Sequence, residues 1–232
     1  MYYPFFDSSM LLVIPGILLA LYAQMKVKST YARYSQVAAA RKVNGAQVAR
    51  AILDSQGVDD VDVEMTQGQL TDHYDPRTRK VRLSQDVYQG YSLASLGVAA
   101  HETGHAVQHA VGYLPLNIRH SLVPVANFGS TLAFPLFVLG LFLSSPGLLQ
   151  IGIYLFAAVV LFQVVTLPVE FNASSRALGI LQNQGYISGS EVSGTKAVLD
   201  AAALTYVAAA LVGLLNLLRL LMISGLLGKR DE

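Results

Sequence analysis

The chain has 232 residues, 53% of them hydrophobic and 13% charged, with a net charge of +1. Soluble domains carry about 25% charged residues, so this composition argues against an ordinary soluble protein. A near-neutral balance excludes a nucleic-acid footprint and attachment to a bilayer by a basic tail alone. With no cysteine in the chain, disulfides and thiolate metal sites are excluded, and any zinc must be held by imidazole and carboxylate.

Taken in chain order, residues 9–24 form the first apolar run, interrupted by Pro15. Neither Lys nor Arg precedes the run and no A-x-A site follows it, so it reads as an uncleaved anchor within residues 1–26. Residues 27–56 read as two helical pieces, the second opened by the capping-box pattern Asn44-Gly-Ala-Gln47 and closed by Gly57. Val61–Met65 alternates like a strand, and the acidic stretch Asp59, Asp60, Asp62 and Glu64 reads as a solvated face. Residues 68–74 and Lys80–Ser84 are expected to pair as a hairpin across Asp75-Pro-Arg-Thr78, where proline suits the second turn position. Strand addition of an extended peptide to this hairpin makes Val81, Arg82 and Leu83 candidates for main-chain contact with substrate.

The helix predicted next, from Ser92 to a stop at Gly112, contains His101-Glu-Thr-Gly-His105. Histidines four apart on a helix lie about 40° apart around the axis and one turn apart along it, so both imidazoles can reach one metal ion. Glu102 is then placed as general base beside a water, the arrangement of zinc peptidases. The apolar stretch before His101 is about nine residues, too short to span a bilayer, which favours a metal site at the membrane surface over one inside it.

A catalytic zinc takes three protein ligands. His109 lies about 12 Å and about 80° from His101 on a straight helix, so it cannot converge with both histidines. His73, in the hairpin, and His120, at the start of the next apolar run, have no supporting pattern. The metzincin extension is absent, since positions 108 and 111 are Gln and Val. Glu170 is the better candidate: it follows the apolar run 147–168 in a segment that continues helically past Pro168. The alternative for Glu170 is an interface carboxylate paired to Arg176 or simply hydrated. His109, Tyr113, Arg176 and Tyr206 carry donors that could stabilise an oxyanion.

Apolar runs 122–143, 147–168 and 203–227 complete a set of four spans. The expected organisation is a membrane protein, mainly α, with a small α+β zincin-like cytoplasmic portion. Residues 27–121 form its catalytic portion, 122–168 a transmembrane hairpin, 169–202 a cytoplasmic segment supplying the third ligand, and 203–232 a last span and tail. Lys26, Lys28, Arg33, Arg41 and Lys42 follow the first run, which puts that portion in the cytoplasm and the N-terminus outside. Lys229 and Arg230 run against that orientation at the C-terminus. A loop is expected over Gly185–Gly194, with Ser188-Gly-Ser-Glu191 as a capping box.

His101-Glu-Thr-Gly-His105, Glu170-Phe-Asn-Ala-Ser174, Tyr74-Asp-Pro-Arg-Thr78 and Arg82-Leu-Ser84 together resemble the bacterial membrane zinc metallopeptidases of the YugP type, over nearly the whole chain. These resemble gluzincins and, more distantly, the HtpX and CAAX-prenyl membrane peptidases. The resemblance implies Zn²⁺ held by His101, His105 and Glu170, with Glu102 as base. It also implies hydrolysis of protein or peptide substrates, membrane proteins among them, at the bacterial cell membrane. Those wider families carry Asp where this chain has Ser174, which leaves Asn172, Ser174 or Arg176 to take over that residue's support of the metal. A zinc-binding membrane scaffold or regulatory protein without turnover is the competing reading, and the sequence leaves oligomers and regulatory partners open.

Overall fold

The computed structural model describes residues 8–225, so Asp7, Lys229 and Arg230 lie outside the described residues. A short 3-10 turn, Ser8–Leu12, leads into α1 (Ile14–Tyr34), with Pro15 in the first helical turn, where its missing N–H costs nothing. Then follow α2 (Gly45–Ser55), β1 (Asp62–Thr66), β2 (His73–Asp75), β3 (Lys80–Ser84), α3 (Gln85–Tyr88), α4 (Leu93–Ala110), α5 (Leu114–Phe142), α6 (Pro146–Asn183) and α7 (Ser190–Ile223). The chain is a mainly helical membrane protein with a small three-stranded sheet, and among the described residues four helices are long and apolar enough to cross a bilayer.

The chain divides into two compact units. One gathers residues 8–22, Ile118–Leu167 and residues 205–225. Its helices meet at glycines. A Cβ at Gly129 of α5 would lie 2.7 Å from the Leu155 carbonyl oxygen of α6, and one at Gly152 of α6 would lie 2.9 Å from the Ala133 oxygen of α5. Gly16 of α1 packs on Val212 and Leu215 of α7 in the same way. Without a hydrophobic drive between helices in lipid, such close backbone approach supplies the packing energy. Leu18, Phe128, Phe134, Leu139, Tyr154 and Leu218 remain exposed, as lipid-facing side chains do.

The second unit contains Ala23–Asn117 and Pro168–Leu204. Asn44 caps α2 with both bonds of a capping box. The amphipathic α2 buries Val48, Ala49, Ile52 and Leu53 against the sheet and α4. Strand β3 is central, parallel to β1 and antiparallel to β2. Its buried Val81 and Leu83 enter the core, while on its other face Lys80 and Arg82 bind Glu64 at 2.7 Å each. Asp75 ties the hairpin turn. It accepts bonds from Thr78 Oγ1 and the Arg77 N–H, which hold its carboxyl down at about 2. Ser92 caps α4 by accepting from the Ser95 N–H, and Gly112, at φ +64°, ends the α4 segment.

Two expectations change. The main chain of Val81 and Arg82 is paired on both sides and that of Leu83 with β1, so β3 is a central strand and the free strand edges belong to β1 and β2. The loop before α7 stops at Gly189, because helical bonds already run through Glu191–Gly194. Half of the expected box is present there: the Ser188 N–H donates to Glu191 Oε2 at 3.0 Å, while Glu191 Oε1 accepts from the Ala40 N–H at 2.7 Å.

Two glycines in this unit separate sterics from propensity. A Cβ at Gly45 would sit 2.2 Å from the Val87 carbonyl oxygen, whereas one at Gly179, inside α6, meets nothing within 4 Å. Gly45→Ala is expected to destabilise the protein by about 1–3 kcal/mol, and Gly179→Ala to leave it unchanged or stabilise it by about 0.5–1 kcal/mol. Apparent Tm in detergent should fall for Gly45→Ala and hold or rise for Gly179→Ala.

Candidate metal centre

Helix α4 is mostly buried, and its alanines and glycines let neighbours approach closely. It approaches α6 closely at Gly104, where a Cβ would lie 3.1 Å from the Ala173 carbonyl oxygen. That contact lies between His101 and His105 on one helix and next to Glu170 on the other. The two imidazoles stand 4.8 Å apart between ring centres, with their planes nearly perpendicular at 86°. Glu170, 2% exposed, places Oε2 3.2 Å from His101 Nε2 and 3.6 Å from His105 Nε2.

All three donor atoms lie within 4.8 Å of one another. Tetrahedral zinc with bonds of about 2.0–2.1 Å places neighbouring donors about 3.4 Å apart, and the two carboxylate distances, 3.2 and 3.6 Å, lie on either side of that value. The hydrogen bonds behind the rings support the same fit. His105 Nδ1 meets Gln108 Oε1 at 3.0 Å. An amide oxygen only accepts, so the proton sits on Nδ1 and a neutral ring aims its Nε2 lone pair at Glu170. A lone pair facing a carboxylate oxygen is repulsive unless a cation stands between them. His101 Nδ1 meets Ser174 Oγ at 3.1 Å, and a hydroxyl can donate or accept there. The donor set, two imidazoles and one carboxylate with no sulfur, suits zinc in a site with an open fourth position.

The electrostatics favour positive charge at this point. Burial works against charge on His105, yet the bond to Glu170 and the charges of Glu102 and Glu170 outweigh it and lift the imidazole above its ordinary value. The Glu102 carboxyl is also pushed up, chiefly by burial, which the two imidazoles oppose and Glu170 and Asp72 reinforce. A carboxyl with raised proton affinity in a partly exposed residue is suited to accept a proton from water.

The structure places the other candidates elsewhere. His109 is engaged by the Tyr74 hydroxyl at 2.8 Å and is absent from the donor group. His73 Nδ1 lies 2.7 Å from the Thr71 carbonyl oxygen. Arg176 does not pair with Glu170; its Nε donates to Asn172 Oδ1 at 2.8 Å. Gln108 had no role predicted from the sequence. Its one signal there was a polar side chain on an otherwise Ala/Val-rich turn, and it proves wholly buried.

Residues 9–225 match the family described as "Putative neutral zinc metallopeptidase". The chain is 52% identical over 221 residues to the "Putative membrane protease YugP" of Bacillus subtilis (strain 168), covering 95% of this chain and 97% of that protein. No solved structure matches. A family match across both units, together with three donors spaced for one cation, leads to one assignment: this chain belongs to the neutral zinc metallopeptidase family.

Proposed function

We propose that the protein is a zinc metalloendopeptidase that hydrolyses peptide bonds at the cytoplasmic surface of the bacterial membrane. His101, His105 and Glu170 would hold the metal, and Glu102 would act as general base. The observation that carries this reading is the convergence of both Nε2 atoms on one buried carboxylate oxygen. When bound, zinc supplies a Lewis acid that polarises the scissile carbonyl and acidifies a water. Glu102 takes the proton of the attacking water and returns it to the leaving amine, a shuttle its raised affinity for protons favours. Gln108 and Ser174 keep the rings aimed so that neither imidazole serves as the base.

The cytoplasmic placement rests on Lys26, Lys28, Arg33, Arg41 and Lys42, which follow the first span and precede the catalytic residues. The same reading sets the membrane as partner and a protein or peptide chain, membrane proteins included, as substrate.

Two variants divide the roles. Glu102→Gln is expected to keep stoichiometric zinc and lose about 10²–10⁴-fold in metal-dependent cleavage of casein or a short hydrophobic peptide. Undiminished turnover would remove Glu102 from the mechanism, and zinc binding with no turnover in the parent protein would favour a scaffold. Glu170→Ala is expected to lose zinc on metal analysis, and full occupancy would reassign the third ligand. Separately, reporters fused after residue 60 should be active in the cytoplasm; an extracytoplasmic signal would invert the topology.

A further inference from the structure

We infer that Arg176 is a positioning residue for the metal centre: it orients the Asn172 amide and, together with the Val169 carbonyl oxygen, holds the Gln108 amide in the orientation that selects the tautomer of His105. The inference rests on the metal centre proposed above and concerns residues that touch no substrate.

The two ends of a side-chain amide are nearly isosteric, so only its neighbours decide which end faces which way. The sequence of constraints starts at Arg176. A guanidinium has donors and no acceptor, and Arg176 Nε lies 2.8 Å from Asn172 Oδ1. Asn172 must therefore turn its oxygen toward Arg176. That same oxygen lies 3.0 Å from Gln108 Nε2, which also donates to the Val169 carbonyl oxygen at 2.9 Å. Both hydrogens of the Gln108 amide are thus spoken for by acceptors on α6. Its oxygen is left to face α4, where it accepts from His105 Nδ1 at 3.0 Å. The imidazole proton is held on the far side of the ring, and the Nε2 lone pair points toward Glu170 Oε2.

Every member of the chain has its partner, and Gln108 is wholly buried, so no water can substitute for a broken link. Turning the Gln108 amide over would oppose donor to donor at His105 and acceptor to acceptor at both Val169 and Asn172. The Val169 carbonyl already opposes this inversion, and Arg176, one turn beyond Asn172 on α6 and partly exposed, adds a second lock by keeping Asn172 from presenting its NH2 to Gln108. His101 has no equivalent device, since the Ser174 hydroxyl accepts either tautomer. The relay also contains no carboxylate, so it orients His105 without drawing its proton away.

A charge effect and the relay predict opposite signs. Removing a cation near a metal site should tighten zinc binding, whereas releasing the second lock should weaken it. The test is zinc affinity of the detergent-purified full chain, measured against a chromophoric chelator, with the visible spectrum of the cobalt-substituted protein as a second readout. Arg176→Met is expected to weaken zinc binding at least about threefold, and Arg176→Lys, which keeps a donor-only group, to stay within about twofold of the parent. Gln108→Met should weaken binding about 10–100-fold and alter the cobalt bands. Should the variant of buried Gln108 fail to fold, Arg176→Met carries the test alone. Unchanged or tighter zinc binding in Arg176→Met overturns the relay. Glu170→Ala separates the two ideas. If it binds zinc as the parent does, the metal centre itself is misassigned and the inference falls with it. If Glu170→Ala loses zinc while Arg176→Met keeps it, only the relay fails.

Discussion

Glu170 is a carboxylate with almost no exposure, and the surroundings of that charge organise the second unit. An ionised carboxylate removed from water costs several kcal/mol unless countercharge and hydrogen bonds replace its hydration. Two imidazole nitrogens converge on its Oε2, and no arginine or lysine reaches it among the described residues. The arrangement is stable when positive charge lies among the three atoms. The smallest side chains of the unit make it geometrically feasible. Gly104 on α4 against Ala173 on α6 lets the two backbones approach until a carboxylate on one reaches both rings of the other. A family that uses zinc and a packing contact built from glycine and alanine are therefore two sides of one constraint.

Around the donors, the supporting groups are neutral. Ser174 stands behind His101 and Gln108 behind His105. The ligand set carries one negative charge against the two positive charges of zinc, so a bound ion keeps net positive charge and hence Lewis acidity. Support by hydroxyl and amide fixes ring orientation without adding the electron density that a carboxylate would push toward the metal. Glu102, its carboxyl pushed up chiefly by burial, lies outside the donor group. The donors and the groups behind them are all carried by α4 and α6.

The span unit shows the same reliance on small residues. Gly129, Gly140 and Gly152 bring α5 and α6 into backbone contact, and Gly213 admits Gln163 against α7. In hydrocarbon, where apolar side chains gain nothing from leaving lipid, such contacts are what hold helices together. The family match runs over residues 9–225 and the similarity to the Bacillus subtilis relative covers 95% of this chain, so both units fall within the matched family.

The sequence by itself determined what short-range periodicity and composition can encode. The four spans follow from apolar length, α2 from the Asn44 capping box, α4 from the spacing of His101 and His105, and the hairpin turn from Asp75 and Pro76. Glu170 was legible as a carboxylate placed just after an apolar run, with family resemblance to single it out. Strand order was not legible, because alternation marks a strand without naming its neighbours, and β3 proved central. Nor did periodicity predict that α7 starts at Ser190, since Gly194 interrupts the pattern but packs inside the helix against Tyr34 and Leu93. Only the tertiary structure decided which polar groups face the imidazoles. Gln108 and Arg176 lie 68 positions apart in the chain, and nothing local couples a glutamine on one helix to an arginine on another. Their connection through Asn172 exists because α4 and α6 pack closely enough for amides to meet, and that distance is set by Gly104 and Ala173 rather than by any motif.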